Sequence, residues 1–287
     1  MKEYLAIMRP LHWIKNIFVF AGLVFGQKLS DPAAIGRSIA GFFCFCLAAS
    51  AIYILNDIID CRTDKLHPEK FQRPIAAGKV NTKTAAILAA ICGIIAVLGS
   101  LILTPNFAII IVSYIVLMIL YSLFFKSMII LDCIIISVGF CLRAIAGAVV
   151  VGVFISPWLI ICTFALCMFM SFGKRRGEIA MLAQNSESFR ATLGGYSPEL
   201  LAHMIDVTSG LAVVCFLLYA MDVRTMRIFG SNHLVYTAPL VLYCIFRFNA
   251  LIQQGKYSGP VQLILKDLPF QIGFVIWILS CIIIIYK

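Results

Sequence analysis

Long runs of apolar residues, separated by short polar segments, repeat along the whole chain. Nine of these runs are candidates for crossing a bilayer, which takes roughly 20 apolar residues in a helix. Because a backbone in lipid finds no water to bond, each run must be helical. The pattern therefore predicts an all-α polytopic membrane protein with nine transmembrane helices, at 14–28, 36–58, 82–103, 107–125, 129–153, 157–181, 198–220, 234–253 and 268–286.

The first run is the weakest of the nine, because Lys15 and Gln27 flank a short apolar core. The connections between the runs are short, so we expect one transmembrane domain over 1–287. The N-terminus has no distinct apolar core followed by a small-residue cleavage site, so we expect no cleavable signal peptide.

Composition excludes a soluble protein and charge indicates the topology. The chain is 62% hydrophobic and only 13% charged, with a formal net charge of +10. Sixteen of the 23 basic residues fall on one side if the N-terminus and the segments after even-numbered runs share that side. By the positive-inside rule this side is the cytoplasm, which puts the N-terminus inside and the C-terminus outside. These charges border membrane helices and are interleaved with carboxylates, so we expect no nucleic acid partner.

Three carboxylates end the second run. Asp57, Asp60 and Asp64 fall at i, i+3 and i+7, so they share one face of a continuous helix. Ionised carboxylates at the end of an apolar span are costly and indicate a functional site. Mg²⁺, which takes oxygen ligands and is shared between carboxylates and phosphates, fits them best. We predict that all three are metal ligands and catalytic residues, with Asn56 as a neutral oxygen donor beside them.

Basic residues follow the three carboxylates within a few positions. A solvated face obeying the positive-inside rule explains part of this cluster, but it leaves the carboxylates without a reason. The cations are placed to surround an anionic ligand, so the segment predicts a metal–phosphate site at a membrane surface. These residues are Arg62, Lys65, Lys70 and Arg73.

The pattern N-D-x-x-D-x-x-x-D from Asn56 to Asp64 resembles the UbiA superfamily of intramembrane prenyltransferases. The resemblance implies a bundle of nine transmembrane helices in which this motif binds Mg²⁺ and the diphosphate of a prenyl donor. That superfamily carries a second acidic motif, D-x-x-x-D, near the end of helix 6. This chain has SFGKRRGEIAML there, with Glu178 as its carboxylate beside Lys174, Arg175 and Arg176.

The exchange of carboxylates for cations resembles one branch of the superfamily, the decaprenyl-phosphate phosphoribosyltransferases. RPLHWIKN over Arg9–Asn16 resembles the opening of that branch, and the match continues through His67, Pro68, Lys70, Arg73 and Pro74. The resemblance implies transfer of 5-phosphoribose from phosphoribosyl pyrophosphate to a polyprenyl phosphate, with Mg²⁺ as cofactor and pyrophosphate as second product. It also implies a bacterial inner membrane, a cytoplasmic active site and, in actinobacteria, a role in cell wall biosynthesis.

The expected substrate-binding residues follow from these motifs. They are Lys15, Asn56, His67, Lys70, Arg73, Arg143, Lys174, Arg175 and Glu178. The sequence leaves open whether Lys174 and Arg175, or Lys70 and Arg73, hold the 5-phosphate. Arg143 lies inside a span and needs a partner, for which the lipid phosphate, Asp132 and Asp206 are alternatives.

Two other functions fit part of the sequence. A prenyltransferase acting on an aromatic acceptor keeps the first motif but expects a second acidic pair near position 174. A transporter expects inverted internal repeats, whereas the acidic motif occurs once. The oligomeric state stays open, with a homo-oligomer as one alternative.

Overall fold

The structure is a computed structural model that describes residues 2–66, 70–182, 195–254 and 260–287. Over these residues its regular secondary structure is helical. The chain divides into two compact units. Unit 1 comprises Met1–Lys126 and Leu142–Phe154, and unit 2 comprises Ser127–Cys141 and Ile155–Lys287. The single domain over 1–287 stays a prediction.

The first half of the chain contains six α-helices and two 3₁₀ helices up to Leu123. In chain order they are α1 (Lys2–Met8), a 3₁₀ helix (Pro10–Phe20), α2 (Ala21–Phe25), α3 (Pro32–Ile59), α4 (Cys61–Lys65), a 3₁₀ helix (Lys70–Gln72), α5 (Thr82–Leu103) and α6 (Pro105–Leu123). A 3₁₀ turn at Phe125–Ser127 follows.

Seven further α-helices complete the described chain, of which the first contributes residues to both units. They are α7 (Leu131–Val151), α8 (Pro157–Leu182), α9 (Pro198–Met221), α10 (Val223–Phe229), α11 (Ala238–Gln253), α12 (Pro260–Lys266) and α13 (Leu268–Tyr286), with a 3₁₀ helix at His233–Thr237 before α11.

Polar caps start the long helices where the apolar runs begin. The Asp31 carboxylate accepts hydrogen bonds from the amides of Ala33 and Ala34 at 2.9 and 3.2 Å, and Pro32 occupies the first turn of α3. Thr104 and Ser197 cap α6 and α9 in the same way. Such caps satisfy amides that have no partner within the helix, and proline suits the first turn because it lacks an N–H.

Eight helices in the described residues are long and apolar enough to cross a membrane, so the predicted count of nine is not confirmed. The first predicted run instead forms a shorter apolar segment, Pro10–Phe25. Eleven of its residues form a 3₁₀ helix, which rises about 2.0 Å per residue against 1.5 Å in an α-helix. The segment is therefore about 30 Å long, close to the thickness of the hydrocarbon core.

Contacts within unit 1 fix this first segment beside α3. The Trp13 indole N–H donates to the Ser50 hydroxyl at 3.1 Å, and the Asn16 amide donates to Cys46 Sγ at 3.3 Å. The Ser50 hydroxyl also bonds the carbonyl of Met8 at 2.9 Å. The segment thus runs antiparallel to α3, and residue 9 reaches the end of α3 that carries the acidic motif.

Small residues let the same segment approach α7 closely. A Cβ on Gly147 would lie 2.7 Å from the carbonyl carbon of Val19, a distance that Cβ atoms essentially never show in proteins. A Cβ on Gly22 would lie 2.5 Å from the amide nitrogen of Ala148. Backbone therefore packs against backbone at this crossing, as small residues permit between membrane helices.

Candidate functional site

Asp57 and Asp64 share one arginine at the end of α3. Arg73 Nη1 donates to Asp57 Oδ1 at 3.1 Å and to Asp64 Oδ2 at 2.6 Å. Both aspartates are buried, and Arg73 retains 26% exposure of its side chain. Arg9 Nη2 adds a second bond to Asp57 Oδ1 at 2.5 Å. Buried carboxylates need such partners, since an unpaired charge at this depth is costly.

Asp60 pairs with a different cation from the other two carboxylates, although the spacing predicts a shared face. The α-helix ends at Ile59, and Asp60 has φ −86° and ψ 2° at the break before α4. Its carboxylate pairs with Lys126. Across the described ranges, no three His, Cys, Asp or Glu side chains are grouped so as to hold a metal ion. The assignment of all three aspartates as metal ligands stays a prediction.

The position of Arg73 depends on the apolar residues that follow it. Ile75 and Val80 are buried against Ile7 and Ile54, so the segment after the motif is fixed on α1 and α3. Its backbone closes on itself through bonds from the amides of residues 79 and 80 to the carbonyl of Pro74. Gly78 makes this turn with φ +72°, a conformation that favours glycine.

Arg9 reaches the motif through an unusual backbone conformation. It has φ 54° and ψ 61°, in the left-handed region, and separates α1 from the 3₁₀ helix. This conformation costs roughly 1–2 kcal/mol for an L-residue. Its guanidinium then lies 5.4 Å from the ring centroid of Tyr53, one turn before Asp57 on α3.

Arg143 is buried within unit 1 and donates to two neutral side chains. Its Nε donates to Asn16 Oδ1 at 2.7 Å, and its Nη2 donates to the Tyr114 hydroxyl at 2.8 Å. Asp132, one of its predicted partners, bonds Arg175 instead. The sequence missed Asn16 and Tyr114 because a neutral partner 29 or 127 positions away carries no charge signal.

A second ionic cluster lies in unit 2, at the place of the second motif. Arg175 Nη2 contacts Asp132 Oδ2 at 2.7 Å, and Nη1 contacts Glu178 Oε2 at 2.8 Å. Arg175 and Asp132 are almost fully buried. Lys174 is exposed and lies 3.6 Å from Glu178. The predicted phosphate ligand Arg175 is therefore engaged by two carboxylates, and its role in substrate binding stays a prediction.

Tyr196 completes this second cluster, and the sequence missed its role. Its hydroxyl donates to Asp132 Oδ1 at 2.9 Å and accepts from the amide of Ile130 at 2.5 Å. Ile130 has φ +66°, a strained conformation for a β-branched residue. Burial raises the pKa of Tyr196, so the hydroxyl keeps its proton for Asp132. The turn before α7 is therefore held by this hydroxyl.

The remaining predicted residues lie around the first motif or outside the described residues. Asn56 is half-buried in the last turn of α3, and Lys70 is half-buried in the short 3₁₀ helix after the motif. Lys15 is half-buried beside Asn16. His67 lies outside the described residues. Lys126 was missed as a partner of the motif, although it is the first basic residue after the fourth run.

Comparison with known proteins identifies a matching family and similar proteins. The model of the UbiA prenyltransferase family matches residues 16–263. A decaprenyl-phosphate phosphoribosyltransferase of Mycolicibacterium smegmatis is 33% identical over 281 residues, which cover 94% of this chain and 88% of that protein. One from Mycobacterium tuberculosis is 29% identical over 94% of this chain and 90% of its own length.

Among solved structures, a UbiA homologue from Archaeoglobus fulgidus bound to GPP and Mg²⁺ is similar to this chain. It has a TM-score of 0.73 and 17% identity, with 99% of this chain and 100% of that one covered. At this identity the likeness shows a shared fold and nothing about substrates.

Proposed function

This chain belongs to the UbiA prenyltransferase family, and on that premise we propose that it is a phosphoribosyltransferase acting on a membrane lipid. It transfers 5-phosphoribose from phosphoribosyl pyrophosphate to a polyprenyl phosphate such as decaprenyl phosphate. The observation that carries this proposal is the 33% identity to a decaprenyl-phosphate phosphoribosyltransferase over 94% of the chain. The charged site at the end of α3 supplies what such a donor requires.

The donor's diphosphate has a charge-matched site at the acidic motif. Three carboxylates and three cations meet there in ion pairs: Asp57, Asp60 and Asp64 with Arg9, Arg73 and Lys126. A diphosphate that enters with Mg²⁺ adds little net charge, because the ion offsets most of the charge of the diphosphate. The arginines can then turn from carboxylate to phosphate oxygens. The planar guanidinium suits both partners.

Asp57 and Asp64 fit a shared Mg²⁺, because both already converge on one cationic group, the Arg73 guanidinium. Their oxygens are the ligand type that Mg²⁺ prefers, and one or two carboxylates suffice when phosphates complete the shell. Asp60 and Asn56 lie beside them as further oxygen donors. Bound there, the ion would stabilise negative charge on the leaving pyrophosphate.

The reaction exchanges one bond at C1 of the ribose. The bond from C1 to the pyrophosphate oxygen breaks with its electron pair leaving on pyrophosphate, and a lipid phosphate oxygen forms the new bond to C1. Arg9 and Lys126 would stabilise the leaving group by charge-assisted hydrogen bonds. The lipid phosphate is ionised at neutral pH, since its second pKa is about 6. The chain therefore needs no strong general base.

For the donor's 5-phosphate, we favour Lys70 and Arg73 over Lys174 and Arg175. Arg175 has 3% of its side chain exposed and is matched by Asp132 and Glu178, whereas Arg73 is 26% exposed. Drawing Arg175 out would leave Asp132 as an unpaired buried charge, which is strongly unfavourable.

We place the protein in a bacterial inner membrane. The acidic motif and the N-terminus lie on its cytoplasmic side, and the C-terminus lies on the opposite side. This arrangement needs Pro10–Phe25 to cross the bilayer as a ninth span, which its 3₁₀ geometry supports with a length of about 30 Å. The positive-inside asymmetry of the loops supports the same orientation.

The test is turnover by purified protein with defined substrates. We expect pyrophosphate release that requires phosphoribosyl pyrophosphate, polyprenyl phosphate and Mg²⁺ together, and a lipid product whose mass increases by one phosphoribosyl group. A second arm supplies a prenyl diphosphate and an aromatic acceptor. Pyrophosphate release in that arm alone would assign the chain to the prenyl-transferring members of the family and overturn the proposal.

A further inference from the structure

Lys15 lies in the apolar segment Pro10–Phe25. No residue that the structure describes pairs with its charge. Among the described residues it makes no hydrogen bond or ion pair, although its side chain is half-buried. Its charged neighbours, Arg143 and Arg9, are also cations. Arg9 pairs with Asp57, yet like-charged neighbours still disfavour a charged Lys15 unless an anion binds beside it.

Tyr53 adds a hydroxyl to the same surroundings. It is half-buried on α3, and its hydroxyl bonds none of the residues that the structure describes. Arg143 and Arg9 are its charged neighbours too, and the Arg9 guanidinium lies 5.4 Å from its ring. Lys15 and Tyr53 thus both offer donors to a ligand in a positive field.

The level of this group along α3 indicates the kind of anion. Tyr53 precedes Asp57 by four residues, or about 6 Å of helix. The backbone of Lys15 lies between Trp13, which bonds Ser50, and Asn16, which bonds Cys46. This level is about 10 Å or more before Asp57, inside the apolar span Pro32–Ile59. An anion reaching it from lipid needs an apolar tail.

We propose that Lys15 and Tyr53 bind the phosphate group of the polyprenyl phosphate acceptor, in the positive field of Arg9 and Arg143. The inference rests on the proposed function and names the acceptor's half of the site. It separates the two substrates along α3, with the donor's diphosphate at Asp57 and the acceptor's phosphate nearer the middle of the span. The other source of the same chemistry is the donor's 5-phosphate.

Kinetics with Lys15→Met and Tyr53→Phe test the inference. Loss of a charge-assisted hydrogen bond predicts a KM for polyprenyl phosphate raised about 10- to 100-fold in Lys15→Met, and about 3- to 10-fold in Tyr53→Phe. The KM for phosphoribosyl pyrophosphate should change less than about twofold, and Lys15→Arg should recover part of the lipid affinity. Lys83→Met, which removes an exposed lysine of the same unit, is the control. A raised donor KM with an unchanged lipid KM would overturn the inference.

A binding measurement separates this inference from the proposed function. Polyprenyl phosphate should raise the melting temperature of the wild-type protein more than polyprenol, which lacks the phosphate, and Lys15→Met should lose that difference. This result supports the lipid-phosphate site even if wild type releases no pyrophosphate from phosphoribosyl pyrophosphate. If Lys15→Met keeps the difference, the phosphate binds elsewhere and the inference is wrong.

Discussion

Replacement of Gly147 by alanine should damage both stability and turnover, although glycine has no side chain to offer a substrate. A methyl group there would lie 2.7 Å from the carbonyl carbon of Val19, whereas carbon atoms pack at about 3.5–4.0 Å. The first segment and α7 must therefore separate by roughly 1 Å. Overpacking of this kind costs about 1–3 kcal/mol of unfolding free energy.

The same displacement reaches the site because Gly147 lies one turn after Arg143 on α7. Arg143 holds Asn16 at 2.7 Å from the same face, so a shift of about 1 Å breaks this bond and moves Lys15 with its segment. Misplacement by 1 Å can cost about 100-fold in rate. We expect turnover of Gly147→Ala to fall about 10- to 100-fold.

Gly210→Ala is the matched control, because a Cβ at this helical glycine meets nothing within 4 Å. Alanine there should leave the protein equally stable or slightly more stable, since it is the better helix former. Thermal unfolding in lipid nanodiscs and pyrophosphate release would be measured for both variants. If Gly147→Ala matches Gly210→Ala in both, the close crossing does not position the site.

The second cluster yields two further predictions about stability. Arg175→Met should lower the unfolding free energy by about 3–5 kcal/mol, because Asp132 is left charged and buried. A stable variant with a raised donor KM would instead favour Arg175 as a phosphate ligand. Tyr196→Phe should cost about 1–3 kcal/mol, since it removes one hydrogen bond to Asp132 and the acceptor of the Ile130 amide. Tyr4→Phe, at a more exposed tyrosine, is the comparison, and equal melting temperatures would contradict the role given to Tyr196.

The sequence predicted the helical membrane architecture and the location of the acidic motif, because apolar runs and charged span ends are local signals. It did not predict the break at Asp60, since a spacing of i, i+3 and i+7 indicates one face only if the helix continues. Whether the first segment is long enough to span the membrane is hard to predict for a related reason. The rule of about 20 residues per span assumes an α-helical rise, whereas Pro10–Phe20 is a 3₁₀ helix.

The partners of the buried arginines are the part of the site that the sequence predicts least well. Arg143 could be identified as a residue that needs a partner, but the choice of Asn16 depends on the close crossing at Gly147. Arg175 was interpreted as a phosphate ligand because the sequence around it is basic. Its main partner, Asp132, comes from another helix 43 positions earlier. Such pairings follow from tertiary packing, which one sequence does not display.

Titration calorimetry of donor binding tests the central claim most directly. Phosphoribosyl pyrophosphate is titrated into wild type and Asp57→Asn at several Mg²⁺ concentrations. The account predicts that wild type binds the donor in a Mg²⁺-dependent manner, that Asp57→Asn loses this dependence, and that Asp206→Asn, at an exposed aspartate, keeps it. Unchanged Mg²⁺-dependent affinity in Asp57→Asn would contradict a donor site built on the buried carboxylates at the end of α3.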